Sequence, residues 1–254
     1  MNDTNGGVSA TAFLDRVRET IDRVAASEAA QVARAADIIT EALGRDGIVQ
    51  AFGTGHSQAT AMEIAGRAGG LIPTNRISFR DLVIQGEPAS ILADPLIERD
   101  PDLARRLYDA ASVHPSDVFV IASNSGINGS VVGLADIAKK NDHPVIAILS
   151  RQHSAQVESR HPSGRKLGDI ADVVLDNGGP FGDAVLPLPG GGAACAVSSM
   201  TAALLAQMIT AEVLNRIIAS GQKPPVYLSA NVPGGDAHND DLLQRYAGRI
   251  RPGG

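Results

Sequence analysis

The chain has 254 residues and a formal net charge of −6, and 44% of its residues are hydrophobic, 20% charged and 3% aromatic. This is enough apolar material for one large domain or two small ones. The absence of a Lys/Arg cluster and the few aromatic rings argue against nucleic acid as a partner, and the single cysteine, Cys195, excludes an intramolecular disulfide and a multi-cysteine metal site.

The first 45 residues predict a helical arm. The opening MNDTNGGVSA is polar and lacks the basic and apolar segments of a signal peptide. Across residues 9–43 apolar residues recur three and four apart, which predicts a long amphipathic helix or a helix pair ending at Gly44. Such a helix either covers a sheet or packs against a partner subunit. We therefore divide the chain into an oligomerisation arm, residues 1–45, and a domain, residues 46–254.

Strands and helices alternate through the rest of the chain. Strands are predicted at 47–53, 117–122, 144–149, 172–176 and 184–188, and helices at 58–68, 103–112, 130–141 and 194–220. Segment 72–115, which is interrupted by prolines, is predicted as loops and short helices, and the carboxyl-terminal tail is rich in Pro and Gly. This alternation predicts right-handed βαβ units and a three-layer α/β sandwich with a parallel sheet.

One low-charge stretch, residues 193–211, raises the question of a membrane span. It is interrupted by Ser198, Ser199, Thr201 and Gln207, so we expect a buried helix instead. Together with the polar amino terminus, this predicts a cytoplasmic globular protein without a membrane partner.

Polar turns follow two of the predicted strands. GTGHS, residues 53–57, follows the first strand, and SNSGINGS, residues 123–130, follows the strand at 117–122. Ligands of open α/β sheets bind at the carboxyl ends of strands, where glycines allow close approach and helix N-termini present N–H groups. The first turn lacks the third glycine of a dinucleotide motif and the lysine of a Walker loop. A capped loop explains either turn alone, but the pair favours a small phosphorylated ligand held by neutral hydrogen bonds and a helix dipole.

Several motifs resemble a known family. FGTGHS, EIAGRAGGL and IASNSGINGS look like the SIS (sugar isomerase) domain, and SRHPSGRKL, DNGGPFGDA and SANVPGGD resemble a bacterial branch of single-domain SIS proteins. The resemblance runs from about residue 25 to residue 250. It implies a flavodoxin-like sheet of five parallel strands and a cofactor-free site for a sugar phosphate.

The resemblance also implies which residues hold the phosphate. It places Ser123, Asn124, Ser125 and Asn128 around the phosphate, with Asn128 where many relatives carry Thr or Ser. Ser57 matches a family serine that faces the sugar phosphate.

Three residues are candidates for acid–base chemistry. SIS enzymes commonly move the proton next to a sugar's carbonyl carbon, which requires a base, and Glu63 follows Ser57 on the helix expected to begin at the ligand. Its apolar neighbours would partly desolvate the carboxylate, whereas a solvated helix glutamate is the alternative. His161 is the candidate acid or else a surface-loop histidine, and His56, which replaces a family Thr or Gly, is expected to contact the substrate or assist.

Further polar residues are weaker candidates. His153 and His238 are possible site histidines, and Asp183, Asn231 and Asp236 occupy motif positions of the branch, as cleft-lining or subunit-interface groups. No spacing of His, Asp and Glu suggests a metal site.

Removal of the C2 proton of an aldose 6-phosphate gives an enediol, which can become a ketose. With a 2-acetamido group ketose formation is unfavourable, and the intermediate regains its proton on the other face or expels the C3 substituent. The GTGHS turn and the following glutamate resemble etherase relatives more than ketol isomerases. We therefore expect an N-acetylglucosamine 6-phosphate type of substrate and β-elimination from C3, with aldose–ketose isomerisation as the alternative.

A non-catalytic sugar-phosphate sensor is a second alternative, because SIS domains also serve in transcription regulators. The residues before the first strand are few and have no basic recognition helix, which argues against direct DNA binding; they include the acidic Asp15, Glu19, Asp22 and Glu28. Relatives often borrow a site residue from a neighbouring subunit, and the arm carries an apolar stripe. A homodimer or homotetramer is therefore expected.

Overall fold

The computed structural model describes residues 7–251. Its helices are α1 (Ala10–Ser27), α2 (Ala29–Gly44), α3 (Gln58–Ile64), α4 (Phe79–Ile84), α5 (Leu103–Ala110), α6 (Gly129–Lys140), α7 (Arg151–Ala155), α8 (Leu167–Ile170), α9 (Ser198–Ala219) and α10 (Gly235–Arg245). The strands are β1 (Val49–Gly53), β2 (Thr74–Ile77), β3 (Val118–Ala122), β4 (Val145–Leu149), β5 (Val173–Asp176), β6 (Ala184–Pro187) and β7 (Ala193–Ala196). Short 3-10 turns lie at Gly55–Ser57, Ala89–Ala93 and Ile97–Arg99.

Five strands form a parallel sheet in the order β2-β1-β3-β4-β5. The strand order reverses at β1, because β2 pairs on one side of it and β3 on the other. Gly53, the last residue of β1, lies opposite Ala122, the last residue of β3, so the two strands end side by side at this switch point. The flavodoxin-like sheet and three-layer sandwich predicted from the sequence are confirmed.

The side chains of β3 alternate between two apolar layers. Val118, Val120 and Ala122 pack with α2 and α9, whereas Phe119 and Ile121 pack with α5 and α6 on the opposite face. A strand covered on both faces has no solvent-facing side, and for this reason its sequence is a continuous apolar run without polar alternation.

The amino-terminal segment is a helix pair, the second of the two arrangements expected for it. The break lies at Glu28, which is buried; its carboxylate accepts a hydrogen bond from the N–H of Asp176 at 3.1 Å. α2 packs on α9 and the sheet, and α1 packs on α9 and β6. Residues 1–6 of the arm and 252–254 of the domain lie outside the described residues.

Three strands differ from the prediction: β2, β6 and β7, the last of which forms where the helix at 194–220 was expected to begin. β2 forms within segment 72–115, where no strong strand was predicted, because its sequence TNRI has no apolar run and pairing with β1 supplies its order. Asn75 of β2 also donates a side-chain hydrogen bond to Gln50 of β1 at 3.0 Å. The strand expected at 184–188 exists as β6, but it pairs antiparallel with β7 outside the main sheet.

Helix boundaries also differ from the prediction. A left-handed glycine explains one of the differences, and a side-chain cap explains another. α3 ends at Ile64, before the expected residue 68, and Gly66 just beyond it adopts the left-handed φ of +79° that stops helices. α9 begins at Ser198, where the carboxylate of Asp183 accepts from the N–H groups of Val197 and Ser198. α10 lies in the Pro- and Gly-rich tail, for which no helix was predicted.

α9 is the helix raised above as a possible membrane span. It is long and apolar enough to cross a membrane by length and composition. One face of it, including Leu205, Ile209 and Val213, is buried against the core. α9 therefore packs against the core through one face.

Candidate functional site

A cavity of about 450 Å³ opens where β1 and β3 end. All five residues predicted to bind phosphate line it: Ser57, Ser123, Asn124, Ser125 and Asn128. His56 lies on the same wall and is exposed. The structure thus brings together the two polar turns that the sequence places after different strands.

The SNSG turn is held by its own hydrogen bonds. The hydroxyl of Ser123 accepts from the N–H of Gly126 at 3.1 Å, and the carbonyl of Gly126 accepts from the N–H of Leu167 at 2.8 Å. Asn128 is the N-cap residue of α6, so the first turn of this 12-residue helix begins at the cavity wall. The positive end of the helix dipole therefore lies beside the cavity, where it favours an anion.

Arg160 adds a full positive charge to this wall. Its guanidinium donates to the side-chain oxygen of Asn128 at 2.9 Å and itself lines the cavity. From the sequence we expected an anion held by neutral groups and a helix dipole alone. The candidate named in this segment was His161, the residue after Arg160, and Arg160 itself was not named. A guanidinium has further N–H donors available for an oxyanion.

A buried asparagine fixes the side-chain amide of Asn124. Asn177, which is 2% exposed, donates to the oxygen of the Asn124 side chain at 3.0 Å and accepts from the N–H of Gly179 at 2.9 Å. Because the oxygen of Asn124 is occupied, its NH₂ group remains the side of the amide that can donate to a ligand. The oriented amide therefore suits an acceptor such as a phosphate or hydroxyl oxygen.

Glu63 does not line the cavity. Its carboxylate forms an ion pair with Arg67, one turn along α3, and accepts from the side-chain nitrogen of Gln207 on α9 at 2.7 Å. It therefore joins two helices next to the site. His161 also lies outside the cavity lining, and its Nδ1 contacts the hydroxyl of Ser163 at 2.8 Å.

Glu98 is the carboxylate that the structure adds to the cavity. It lies in the turn Ile97–Arg99, whose position is set by the buried Ser130, a hydroxyl donor to the Glu98 carbonyl at 2.8 Å. Across residues 7–251 the Glu98 carboxylate has no hydrogen-bond or ion-pair partner. The sequence offered one indication that this region belongs to the site. Segment 72–115 is long and interrupted by prolines, and long loops in compact domains are often functional.

Two further polar side chains line the cavity, His153 and Asp183. His153 accepts the N–H of Gly182 on its Nδ1 at 3.1 Å, so in the neutral ring the proton is on Nε2. Asp183 uses both carboxylate oxygens at the start of α9, one of them accepting the hydroxyl of Ser198 at 2.6 Å. The Nε2–H of His153 therefore has no acceptor among residues 7–251 and can donate to a ligand. Asp183, in contrast, caps α9. In the part of the chain that the structure describes, no three His, Cys, Asp or Glu side chains are grouped as metal ligands.

Comparison with known proteins agrees with this architecture. The phosphoheptose isomerase GmhA from Neisseria gonorrhoeae superposes with a TM-score of 0.57 at 19% identity, covering 81% of this chain and 96% of the isomerase. A phosphoheptose isomerase from Francisella tularensis gives a TM-score of 0.56 at 14% identity, covering 80% of this chain and 95% of that chain. At these identities the two structures support the fold alone.

Sequence similarity extends further. UPF0309 protein lmo0025 of Listeria monocytogenes is 37% identical over 239 residues, which are 94% of this chain and 97% of that protein. The family model described as the SIS domain matches residues 12–150, more than half of the chain. The protein therefore belongs to the SIS domain family.

Proposed function

We propose that this protein is a cytoplasmic phosphosugar enzyme that removes the C2 proton of an amino-sugar 6-phosphate of the N-acetylglucosamine type and expels the C3 substituent by β-elimination. The observation that carries the proposal is that one cavity contains a polar turn at a helix N-terminus and a carboxylate, Glu98, which has no partner among residues 7–251.

The phosphate is assigned to the turn at the start of α6. Ser123, Ser125 and the oriented amide of Asn124 supply hydrogen-bond donors, and the helix N-terminus and Arg160 supply positive charge. These groups anchor the sugar at its far end and take no part in bond breaking.

The carboxylate of Glu98 acts as the base in this proposal. It takes the proton from C2 of the open-chain sugar. The electron pair of the C–H bond then forms a C1–C2 double bond, and the π pair of the C1 carbonyl moves onto its oxygen. When the C1 carbonyl re-forms, a C2–C3 double bond forms and the C3–O bond breaks. The departing oxygen receives a proton from the Nε2–H of His153, while His56 at the rim contacts the sugar.

Aldose–ketose isomerisation by the same groups is the second candidate. It differs in one step, because the proton from C2 returns to C1 and no bond to C3 breaks. The shared fold with two phosphoheptose isomerases favours this candidate.

Exchange of the C2 proton in heavy water tests the shared first step. We expect N-acetylglucosamine 6-phosphate to lose its C2–H signal in the NMR spectrum when incubated with the protein. Release of the C3 substituent identifies elimination, and a ketose signal identifies isomerisation. Thermal stabilisation by sugar phosphates, without exchange in any hexose or heptose phosphate, would contradict the enzyme and identify a sensor.

We also propose a homodimer or homotetramer. Leu14 of α1 and Phe181 beside the cavity are large apolar side chains with exposed fractions of 45% and 53%. Light scattering at micromolar concentration should give two or four times the mass of 26.2 kDa. A monomer would contradict this assignment.

A further inference from the structure

The loop between β5 and β6 places an aromatic ring against His153, the residue proposed as the acid. Phe181 lies in a turn of this loop, which is closed by a hydrogen bond of 2.9 Å from the N–H of Asp183 to the carbonyl of Pro180. The centroid of its ring is 5.1 Å from that of the His153 imidazole, and the two ring planes are inclined by 39°. A separation of this size is typical of aromatic rings in contact. Phe181 is 53% exposed and is not among the residues that line the cavity, so it contacts the acid without lining the site.

One buried hydroxyl holds this loop against α7. Ser150, which is 0% exposed, donates its hydroxyl to the carbonyl of Gly179 at 2.6 Å. The same hydroxyl accepts from the N–H of His153 at 3.0 Å, because Ser150 is the N-cap residue of α7. Since one side chain is bonded to both segments, the backbones that carry Phe181 and His153 are held in a fixed relative position.

Two contacts determine how the imidazole of His153 is oriented. Its Nδ1 accepts from the N–H of Gly182 at 3.1 Å, which selects the edge of the ring that faces the loop. A single hydrogen bond leaves the ring able to tilt about its bond to Cβ, because this torsion has a broad energy minimum in histidine. The ring of Phe181 beside the imidazole restricts that tilt. The Nε2–H, which the proposed mechanism uses, takes its direction from the ring and is therefore restricted with it.

We infer that Phe181 is a positioning residue for His153 and keeps the Nε2–H aligned with the C3 oxygen that leaves the sugar. The inference rests on the proposed function, because it requires His153 to protonate that oxygen. Proton transfer needs donor and acceptor within hydrogen-bond reach, so an imidazole that tilts freely spends less time in the reactive geometry. The turn proposed to hold the phosphate lies before α6, and Phe181 is not part of it. Loss of the ring should therefore slow the release of the C3 substituent with little effect on binding.

The proposed reaction has two steps that are measured separately, and the acid acts only in the second. Removal of the C2 proton by Glu98 is followed as exchange of C2–H in heavy water, whereas His153 acts when the C3–O bond breaks. Phe181→Leu keeps an apolar side chain but has no flat ring. With N-acetylglucosamine 6-phosphate, we expect the ratio of C3 release to C2–H exchange to fall at least about tenfold in this variant, with KM changed less than about twofold. A merely structural role would lower both rates together and leave their ratio unchanged.

Control variants separate the ring from other properties of this surface. Phe181→Tyr restores a flat ring and should restore the ratio. Leu188→Ala removes another exposed apolar side chain, in the turn between β6 and β7, and should keep the wild-type ratio. Phe181→Met, which also lacks a ring, repeats the measurement if Phe181→Leu does not fold. Melting temperature and light scattering check folding and subunit assembly, because Phe181 also belongs to the exposed apolar surface of the proposed oligomer.

Each outcome has a separate meaning. An unchanged ratio in Phe181→Leu, or a fall that Phe181→Tyr shares, would overturn the inference and leave the proposed function intact. Wild-type protein that neither exchanges C2–H nor releases the C3 substituent would overturn the proposed enzyme together with the inference. Exchange with a ketose as the only product would overturn the elimination and, with it, the inference.

Discussion

Two glutamates next to the site differ in what their carboxylates contact. The oxygens of Glu63 are occupied by Arg67 and Gln207, whereas Glu98 faces the cavity without a partner among residues 7–251. A base must present a free lone pair within reach of the proton it removes. At the scale of single residues, this contact pattern favours Glu98 over Glu63.

The pair Glu98→Gln and Glu63→Gln tests this assignment. Loss of a general base lowers kcat by about 10²- to 10⁴-fold, and we expect this loss in Glu98→Gln. Glu63→Gln should cost less than about 1 kcal/mol of unfolding free energy and keep near-wild-type turnover, because it loses one half-exposed ion pair. The kcat values of the two variants distinguish the two assignments. An inactive Glu63→Gln together with an active Glu98→Gln would show that Glu63 is the base.

We predict that Asn177 acts on a bound ligand through Asn124, as a positioning residue. Asn177→Asp keeps an acceptor for the N–H of Gly179 but places an oxygen against the side-chain oxygen of Asn124. The Asn124 amide should then rotate and present its oxygen to the phosphate. We expect KM for the phosphosugar to rise about tenfold with a smaller change in kcat.

The control for this variant is Asn141→Asp, which makes the same charge change at the exposed end of α6. It should leave KM unchanged. A KM in Asn177→Asp equal to that of the wild type would show that the orientation of Asn124 does not matter for binding.

At the scale of elements, the approach of α6 to the turn Ile97–Arg99 positions Glu98. A Cβ on Gly129, the first residue of α6, would lie 2.2 Å from the carbonyl oxygen of Arg99. Only glycine permits this backbone contact, and the hydroxyl of Ser130 adds a hydrogen bond to the Glu98 carbonyl. The helix whose N-terminus lies at the cavity thus also holds the candidate base.

Gly129→Ala should displace this turn. We expect a loss of about 1–3 kcal/mol in unfolding free energy, as for other overpacked sites, and a lower kcat because Glu98 moves with the turn. Urea denaturation and initial rates measure the two effects. Gly168→Ala is the control, since its Cβ would meet only an ordinary contact at 3.5 Å, and equal behaviour of the two variants would contradict the role of the close approach.

At the scale of the whole molecule, a buried ion pair ties the carboxyl-terminal segment to the sheet. Asp117 is 0% exposed and accepts from Arg249 at 2.5 Å, as well as from the N–H groups of Ile48 and His114 and from the side chain of Gln50. Asp117 precedes β3, so this contact lies at the end of the sheet opposite the cavity. Its role is therefore in stability.

Arg249→Ala leaves the buried carboxylate without its cation. We expect the unfolding free energy to fall by about 3 kcal/mol, since breaking a buried pair strands a charge. Arg245→Ala removes an exposed pair with Asp46 at 3.7 Å and should cost less than about 1 kcal/mol. Equal losses in urea denaturation would contradict this account.

The sequence by itself determined the family, the order of most helices and strands, and the composition of the turn proposed to bind phosphate. Apolar periodicity reports on neighbours within a strand or helix, and the turn residues are contiguous, so both are local. β2 and α10 were missed because their order depends on pairing and packing with distant segments.

Only the tertiary structure decided which side chains share the cavity. Glu98, His153 and Arg160 come from three segments outside the two turns, and Glu63 and His161 lie outside the cavity although each is close in sequence to a residue lining it. The path of a loop over the sheet is set by contacts such as Gly129 against Arg99, which leave no periodic pattern in the sequence. For this reason the two polar turns at the cavity were predictable, whereas Glu98 was not and His153 was only a weaker candidate.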